Sequence, residues 1–592
     1  MADSDYIVGI DLGTTNSEIA VYKNGEVRII KKNDRDILPS FVGITPEGAL
    51  LVGEEARNQM LLYPERTVRS IKRKMGEDLL VPLGDKQFKP QEISAFILRE
   101  LAQWAANFMG SPARRAVITV PAYFSDAQRQ ATREAGALAG LDVLRIINEP
   151  TAASLAYGIQ EVGQKTVLVY DLGGGTFDVS IIAMESEVTE VLASHGNNHL
   201  GGDDFDALIA ERLAQHFEQE HDINLRHDYP VAWSRIWRAA EEAKIKLSEA
   251  PFVTVREETL VISNGIPRHL ELELSRQDYE ALILPLVEST LDSVTKALQD
   301  AGKTTSDINA VLLVGGATRT PLVARILEER IGMEPRQDIH PDLCVALGAG
   351  VLASRLAGHD VDRVLVDVTP YTFGVRCIGE VDGRTCDHRF AKILRRNAPL
   401  PITRTELFYT TCPYQKAVDV EIFQGEDEDI YNNIPVGKFI IEDLKPVPEP
   451  SEILCRMALD INGILTVTAI EKCTQKSKHI TIENAMRPMD EGELVEARKR
   501  IAELYASDVV HAGDTESDDT EEEKEITAGE HGDAVALMKH SEALMDTMHD
   551  EDKEEAIELL EQIKDALEGD DEEALREALD KLKELIFYIE GK

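Results

Sequence analysis

The 592-residue sequence predicts a multidomain chain: layered α/β lobes, then an all-β domain, then a helical C-terminal region. Three observations lead to that class. Strands alternate with helices as far as about Leu356. Short alternating strands separated by turn residues run from Thr369 to about Glu483. Leucines at helical spacing dominate beyond Met489.

The α/β part contains an internal repeat. "GIDLGTTNSEIAVYKNGEV" near the N-terminus and "VLVYDLGGGTFDVSII" at 167–182 both run a strand into Asp-Leu-Gly, small residues and a second strand. Asp11 thus matches Asp171, Glu18 stands where Asp178 stands, and Ile19 and Val21 match Val179 and Ile181. Between the copies lie helical stretches at 91–109 and 125–140 and a strand, "RAVITVPAYF", that ends at a proline. Two lobes, each bearing one glycine turn, would face each other across a cleft. A third glycine site follows in "NAVLLVGGATRTPLVARILEE", where a strand meets Gly315-Gly316 and a helix begins near Pro321.

A charged connector, "GHDVDRVLVDVTP", encloses the apolar run Val364-Leu365-Val366; by composition alone that run reads as the first strand of the β-domain. The strands "AVDVEIFQGE", "LDINGILTVTAIE" and "SKHITIE" belong to that domain. The later helical text is interrupted by an acidic run at about 511–531, whose self-repulsion predicts a solvated, disordered linker.

A net charge of −44 repels phosphate backbones and anionic lipid, which excludes nucleic acid and membrane surfaces as main partners. The N-terminus shows no signal core and no apolar run has spanning length, so the expected location is cytoplasmic. Six cysteines without a C-x-x-C pair make no disulfide scaffold. Cys377, Cys386, Cys412, Cys455 and Cys473 cluster in the β-domain and read as buried or idle thiols, with redox sensing as the alternative.

The glycine turns carry the chemistry. Neither is a Walker loop, since no lysine followed by Ser/Thr closes it, and neither opens a helix as a dinucleotide loop does. Successive backbone N–H groups in a tight turn make an anion-binding hollow. An aspartate at its start suits Mg²⁺, which prefers oxygen and keeps its waters. Two such turns, from Asp11 and Asp171, would clamp the phosphates and metal of a nucleotide from both sides, with Gly315-Gly316 at the nucleoside.

The stretches "GIDLGTTNS", "IKRKMG", "VITVPAYFSDAQRQAT", "IINEPTAASLAYG", "YDLGGGTFDVS", "HLGGDDFD", "LLVGGATRTP" and "VLVDVTP" occur in the order found in the seventy-kilodalton heat-shock chaperone family, in its bacterial DnaK-type form, and the chain resembles that family along its length. The resemblance implies an actin-like α/β nucleotide domain (1–358), a linker (359–368), a β-sandwich that binds peptide (369–486) and a divergent helical lid (487–592). It implies an ATP-dependent, mostly monomeric chaperone that holds extended apolar segments of unfolded proteins, with ATP hydrolysis controlling capture and release. The implied cofactors are ATP or ADP, Mg²⁺ and, as an option, K⁺.

By matched position, Gly13, Thr14, Thr15 and Asn16 form the first phosphate loop, and Gly174, Gly175 and Thr176 the second, with Gly202 nearby. Asp11 and Asp171 order the metal's waters, Lys72 positions the attacking water, and Glu149, Thr176 and Asp178 wall it in. The adenosine pocket uses Glu241, Lys244, Ser248, Gly315, Gly316, Arg319 and Asp342, with Ile245 where eukaryotic relatives carry an arginine. The connector Val364, Leu365, Val366 and Asp367 becomes a docking linker, and Pro121 and Arg129 relay nucleotide state. Arg145, Asn148 and Thr151 match the docking area of a J-domain co-chaperone; a nucleotide-exchange factor is the other implied partner.

In the β-domain, Val375, Phe408, Val418 and Val420 match a peptide cleft with Ile378 and Thr411 arching over it. Two other classes remain at this point: a small-molecule kinase on the same fold, and a non-cycling holdase with ATP as a structural ligand. The kinase has no need of connector, β-domain and lid, and the holdase no need of Lys72, Asp11, Asp171 and Thr176.

Overall fold

The computed structural model describes residues 6–158, 165–185, 188–336, 340–359, 364–381, 384–472, 477–482 and 491–511, together with Leu559 and Leu582. The chain divides into two compact units, Met1–Val510 and His511–Lys592, and all that follows concerns the first. The acidic run at about 511–531, Cys473 and most of the expected lid lie outside the described residues.

The repeat read in the sequence is a repeat in the sheets. The six-stranded sheet places Ile7–Asp11 between a parallel neighbour, Arg115–Val120, and its own hairpin partner, Asn16–Lys23. The five-stranded sheet places Lys165–Leu172 between a parallel neighbour, Ala310–Val314, and its hairpin partner, Phe177–Glu185. The registers coincide: Asp11 lies opposite Glu18, and Asp171 opposite Asp178. These strands are covered on both faces, which is why their sequences are nearly continuous apolar runs.

Each lobe has its own core. In the first, Ile10, Ile19, Phe88, Phe96 and Ile118 close against the helices Pro90–Met109 and Asp126–Leu138. Ala497, Ile501 and Leu504 of the helix Glu491–His511 join this same core, and Arg500 donates to Glu92 at 2.6 Å. In the second, Tyr170, Phe177, Phe205, Phe217 and Tyr279 are buried under the helices Gly202–His221, Pro230–Glu249 and Arg276–Asp300.

Two four-stranded sheets follow and share one core containing Phe373, Ile422, Phe439, Met457 and Val467. One sheet holds the hairpin Phe373–Val381 and Arg384–Leu394; the other holds Ile402–Tyr409 and Glu452–Leu459. The connector does not open either of them, contrary to the reading from composition. Val364–Val366 pairs in parallel with Val188–Glu190 and is the fifth strand of the second lobe's sheet. An exposed sheet edge offers unpaired N–H and C=O groups, and an apolar tripeptide next to it satisfies them as well as any sandwich partner could.

Candidate functional site

The two glycine turns meet at the cleft, and their fit depends on missing side chains. A Cβ on Gly174 would stand 1.8 Å from Thr15 Oγ1, and one on Gly175 would stand 2.5 Å from Thr14 Cγ2. Gly13 and Gly173 close the turns, donating to Ser17 Oγ at 3.2 Å and to the Thr176 carbonyl at 3.0 Å. The loop Gly201-Gly202 seals the second turn, with the Gly202 amide on the Gly173 carbonyl at 2.9 Å.

Around the turns lies an excess of buried negative charge. Asp11, Glu149, Asp171 and Asp178 are all at most 9% exposed, with Lys72 the cation among them. Lys72 is ion-paired with Glu149, the first residue of its helix. Burial, then the neighbouring Glu149, lifts Asp11 to about 7 and Asp178 to about 7; burial and the same neighbour raise Asp171 well above the carboxylate range. Thr119 holds one oxygen of Asp11 at 2.7 Å, and the Tyr123 amide holds one of Asp178 at 3.1 Å. One oxygen of Asp171 is buried without a hydrogen-bond partner.

Such a cluster calls for a further cation, and the orphaned Asp171 oxygen faces that need directly. Among the described residues no three acidic, histidine or cysteine side chains converge as direct ligands. A hydrated Mg²⁺ fits both facts, since it needs few protein oxygens and keeps its waters.

At the third glycine site, Gly315 adopts φ +83°, a conformation that favours glycine, and a Cβ there would stand 2.4 Å from the Leu172 carbonyl. A Cβ on Gly316 would stand 2.8 Å from Asp342 Oδ1. Arg319 donates to Asp342 at 2.8 Å. On the same lobe Lys244 is ion-paired with Asp206 at 2.8 Å and Ser248 donates to the Lys244 carbonyl, while across the cleft Glu241 pairs with Arg57 of the first lobe at 2.8 Å. Ile245 is 53% exposed, as an apolar contact for a ligand would be.

Sequence reasoning missed the contacts that lock the lobes. Arg73, next to Lys72, donates to the Gly175 carbonyl at 3.1 Å and pairs with Asp204. Ser70 donates to Asp203 at 2.5 Å. The available signal was the pair of aspartates opening a helix directly after "LGG", where carboxylates suit the helix dipole.

Arg129 and Asp367, two of the expected relay residues, belong to one buried chain with Asn148. Asp367 accepts from Asn148 Nδ2 at 2.9 Å, from the Val368 amide at 2.8 Å and from Thr151 Oγ1 at 3.4 Å. Arg129 donates to Asn148 Oδ1 at 2.6 Å and to the Ala122 carbonyl at 3.1 Å, in the turn that Pro121 opens. Asn148 and Thr151 are therefore buried and engaged within the molecule, and of the expected co-chaperone surface Arg145 is half-buried. Tyr371, which the sequence did not single out, donates to the Tyr123 carbonyl at 2.7 Å.

In the β-domain, Val375, Ile378, Phe408, Thr411, Val418 and Val420 line one cavity of about 560 Å³. Val375 and Val420 form its floor, while Ile378 is 57% exposed at the mouth. Cys377 lines it as well, two residues from Val375 on the same face of the strand. Burial raises its thiol above the usual range, so it acts here as a small apolar group.

Comparison with known proteins agrees with this arrangement. The family model described as Hsp70 protein matches residues 7–83 and 78–592. The chaperone protein DnaK of Thermotoga neapolitana is 43% identical over 544 residues, 90% of each chain. Those of Thermotoga petrophila and Thermotoga maritima are 43% identical over 545 residues, again 90% of each chain. The two facing glycine turns, the buried acidic cluster and this similarity along the whole chain have one explanation: the protein belongs to the Hsp70 family.

Proposed function

We propose that the protein couples ATP hydrolysis between its two lobes to the grip of its β-domain on extended apolar polypeptide. As a member of its family it is an ATPase and an ATP-dependent chaperone of unfolded proteins. The boundaries that suit this reading are an actin-like nucleotide domain at 1–358, a linker at 359–368, a β-sandwich at 369–486 and a lid at 487–592.

Mg²⁺, when bound beside the phosphates, would neutralise charge that develops on them. Asp11 and Asp171 would orient its waters, and the amides of Gly13 to Asn16 and of Gly174 to Thr176 would hold the phosphate oxygens. Lys72, fixed by Glu149, directs its ammonium at the transferred phosphoryl group and the attacking water. Asp178, Glu149 and Thr176 accept hydrogen bonds from that water and set its direction, which is the part of phosphoryl transfer a protein can supply. Glu241, Lys244, Ser248, Gly315, Gly316, Arg319 and Asp342 form the nucleoside's surroundings.

One observation carries the coupling. The connector Val364–Val366 is a strand of the same sheet that presents Asp171 and Asp178, and Asp367 is buried at its end. A lobe movement that changes the sheet edge therefore changes the tether of the β-domain. Val375, Phe408, Val418 and Val420, with Ile378 and Thr411 above them, take an apolar side chain of the client, while backbone hydrogen bonds hold its chain. J-domain and nucleotide-exchange partners, and a cytoplasmic location, accompany this reading; no helix among the described residues is long and apolar enough to cross a membrane.

The test is peptide release. A labelled apolar peptide bound in the presence of ADP should leave faster when ATP is added; an unchanged release rate would remove the coupling.

A further inference from the structure

The cleft of the β-domain continues into a second recess of opposite character. Cys377, Leu407 and Phe408 line the first cavity and also a neighbouring one of about 560 Å³. The first holds Asp387, Asp419 and Glu421 against one cation, Arg376. The second holds Arg389, Lys392 and Arg395 against Glu406 and Glu428. On a chain of net charge −44, a recess in which cations outnumber carboxylates stands apart from its surroundings.

The cations are available. Arg389 and Arg395 are exposed, and among the described residues neither is ion-paired. Lys392 reaches Glu426 only at 3.9 Å and gives its hydrogen bond to that residue's carbonyl. Arg389 lies back across the neighbouring strand because residue 379 is glycine; a Cβ there would stand 2.3 Å from Arg389 Cδ. Arg389 lies opposite Cys377 in the strand pair, and both residues line the second recess. On the other side Arg376 is already engaged, at 2.7 Å from Asp387 and 2.9 Å from Glu421. Lys438 pairs with Asp419 at 3.4 Å and with Glu421 at 2.9 Å, so three carboxylates face two engaged cations and a small negative excess remains on that side.

We propose that this recess receives acidic residues flanking the apolar anchor of a bound client, so that the protein favours segments with carboxylates on one side of the anchor. The inference rests on the reading of the first cavity as the client cleft. A chain seated on Cys377 and Phe408 passes directly from one cavity into the other, so one flank meets arginines and the opposite flank meets aspartate and glutamate. The attraction is between exposed groups, so it is modest and falls with salt.

Three labelled peptides with one apolar core test it on the full-length protein with ADP: three aspartates before the core, three after it, or serines on both sides. One aspartate peptide should bind at least about threefold tighter than the serine peptide at low ionic strength. The advantage should vanish in high salt and reverse in the Arg389→Glu/Arg395→Glu variant, while the serine peptide keeps its affinity. If neither aspartate peptide exceeds the serine peptide, or the advantage survives the charge reversal, the recess has no such role. If the serine peptide itself fails to bind, the client cleft is misassigned and the failure belongs to the earlier reading.

Discussion

The hydroxyl of Tyr371 donates to the carbonyl of Tyr123 at 2.7 Å, and the two rings lie 4.6 Å apart. The amide of that same Tyr123 donates to Asp178 at 3.1 Å. A residue at the entrance of the β-domain is thus two hydrogen bonds from a carboxylate of the proposed hydrolytic site. Replacing Tyr371 with Phe keeps the ring and removes the hydroxyl, at about 1 kcal/mol. Unstimulated ATP turnover should persist, while its acceleration by peptide falls about fivefold. Equal acceleration in both proteins would take Tyr371 out of the coupling.

Lys72 is buried and held by Glu149. Lys72→Ala removes the cation of the acidic cluster, and turnover should drop on the order of a hundredfold or more. Nucleotide binding, measured by calorimetry, should remain, because both proposed phosphate loops bind through backbone amides. Normal turnover in the variant would end the assignment.

Asp367 uses both oxygens as acceptors from Asn148 Nδ2. Asp367→Asn turns one of these into a clash of donors. Hydrogen exchange across 364–366 should then accelerate by about tenfold, since losing about 1.4 kcal/mol of local stability opens the edge strand that much more often. Exchange that stays slow would show that the connector's pairing does not depend on this anchor.

The buried carboxylates give a pH dependence of definite sign. Asp11 and Asp178 have folded pKa values of about 7, raised above the usual 3.8, so the folded state binds protons more tightly than the unfolded chain. Their contribution is fully favourable below about pH 4 and is lost as pH rises through about 7. Thermal melts of the nucleotide-free protein should therefore fall between pH 5.5 and 8, and Asp178→Asn should flatten that slope. A steeper slope in the variant would contradict the assignment.

The paired turns were legible because Asp-Leu-Gly followed by small residues is a local pattern, and the two hairpins reproduce it in register. The contacts of Arg73 with Asp204 and of Ser70 with Asp203 were not legible, because they join segments far apart in the chain and nothing in either segment specifies its partner. Cys377 was passed over as an idle thiol, although the two-residue strand period from Val375 places it on the same face. Composition alone misplaced the connector for a different reason. An apolar tripeptide fits a sandwich or a sheet edge equally well, and tertiary context decides between them.

The central claim is that the hydrolytic site and the peptide cleft are coupled through the connector. Single-turnover ATP hydrolysis with and without an unfolded apolar peptide tests it most directly. Coupling predicts that peptide accelerates the hydrolysis step; an identical rate constant in both reactions would contradict it.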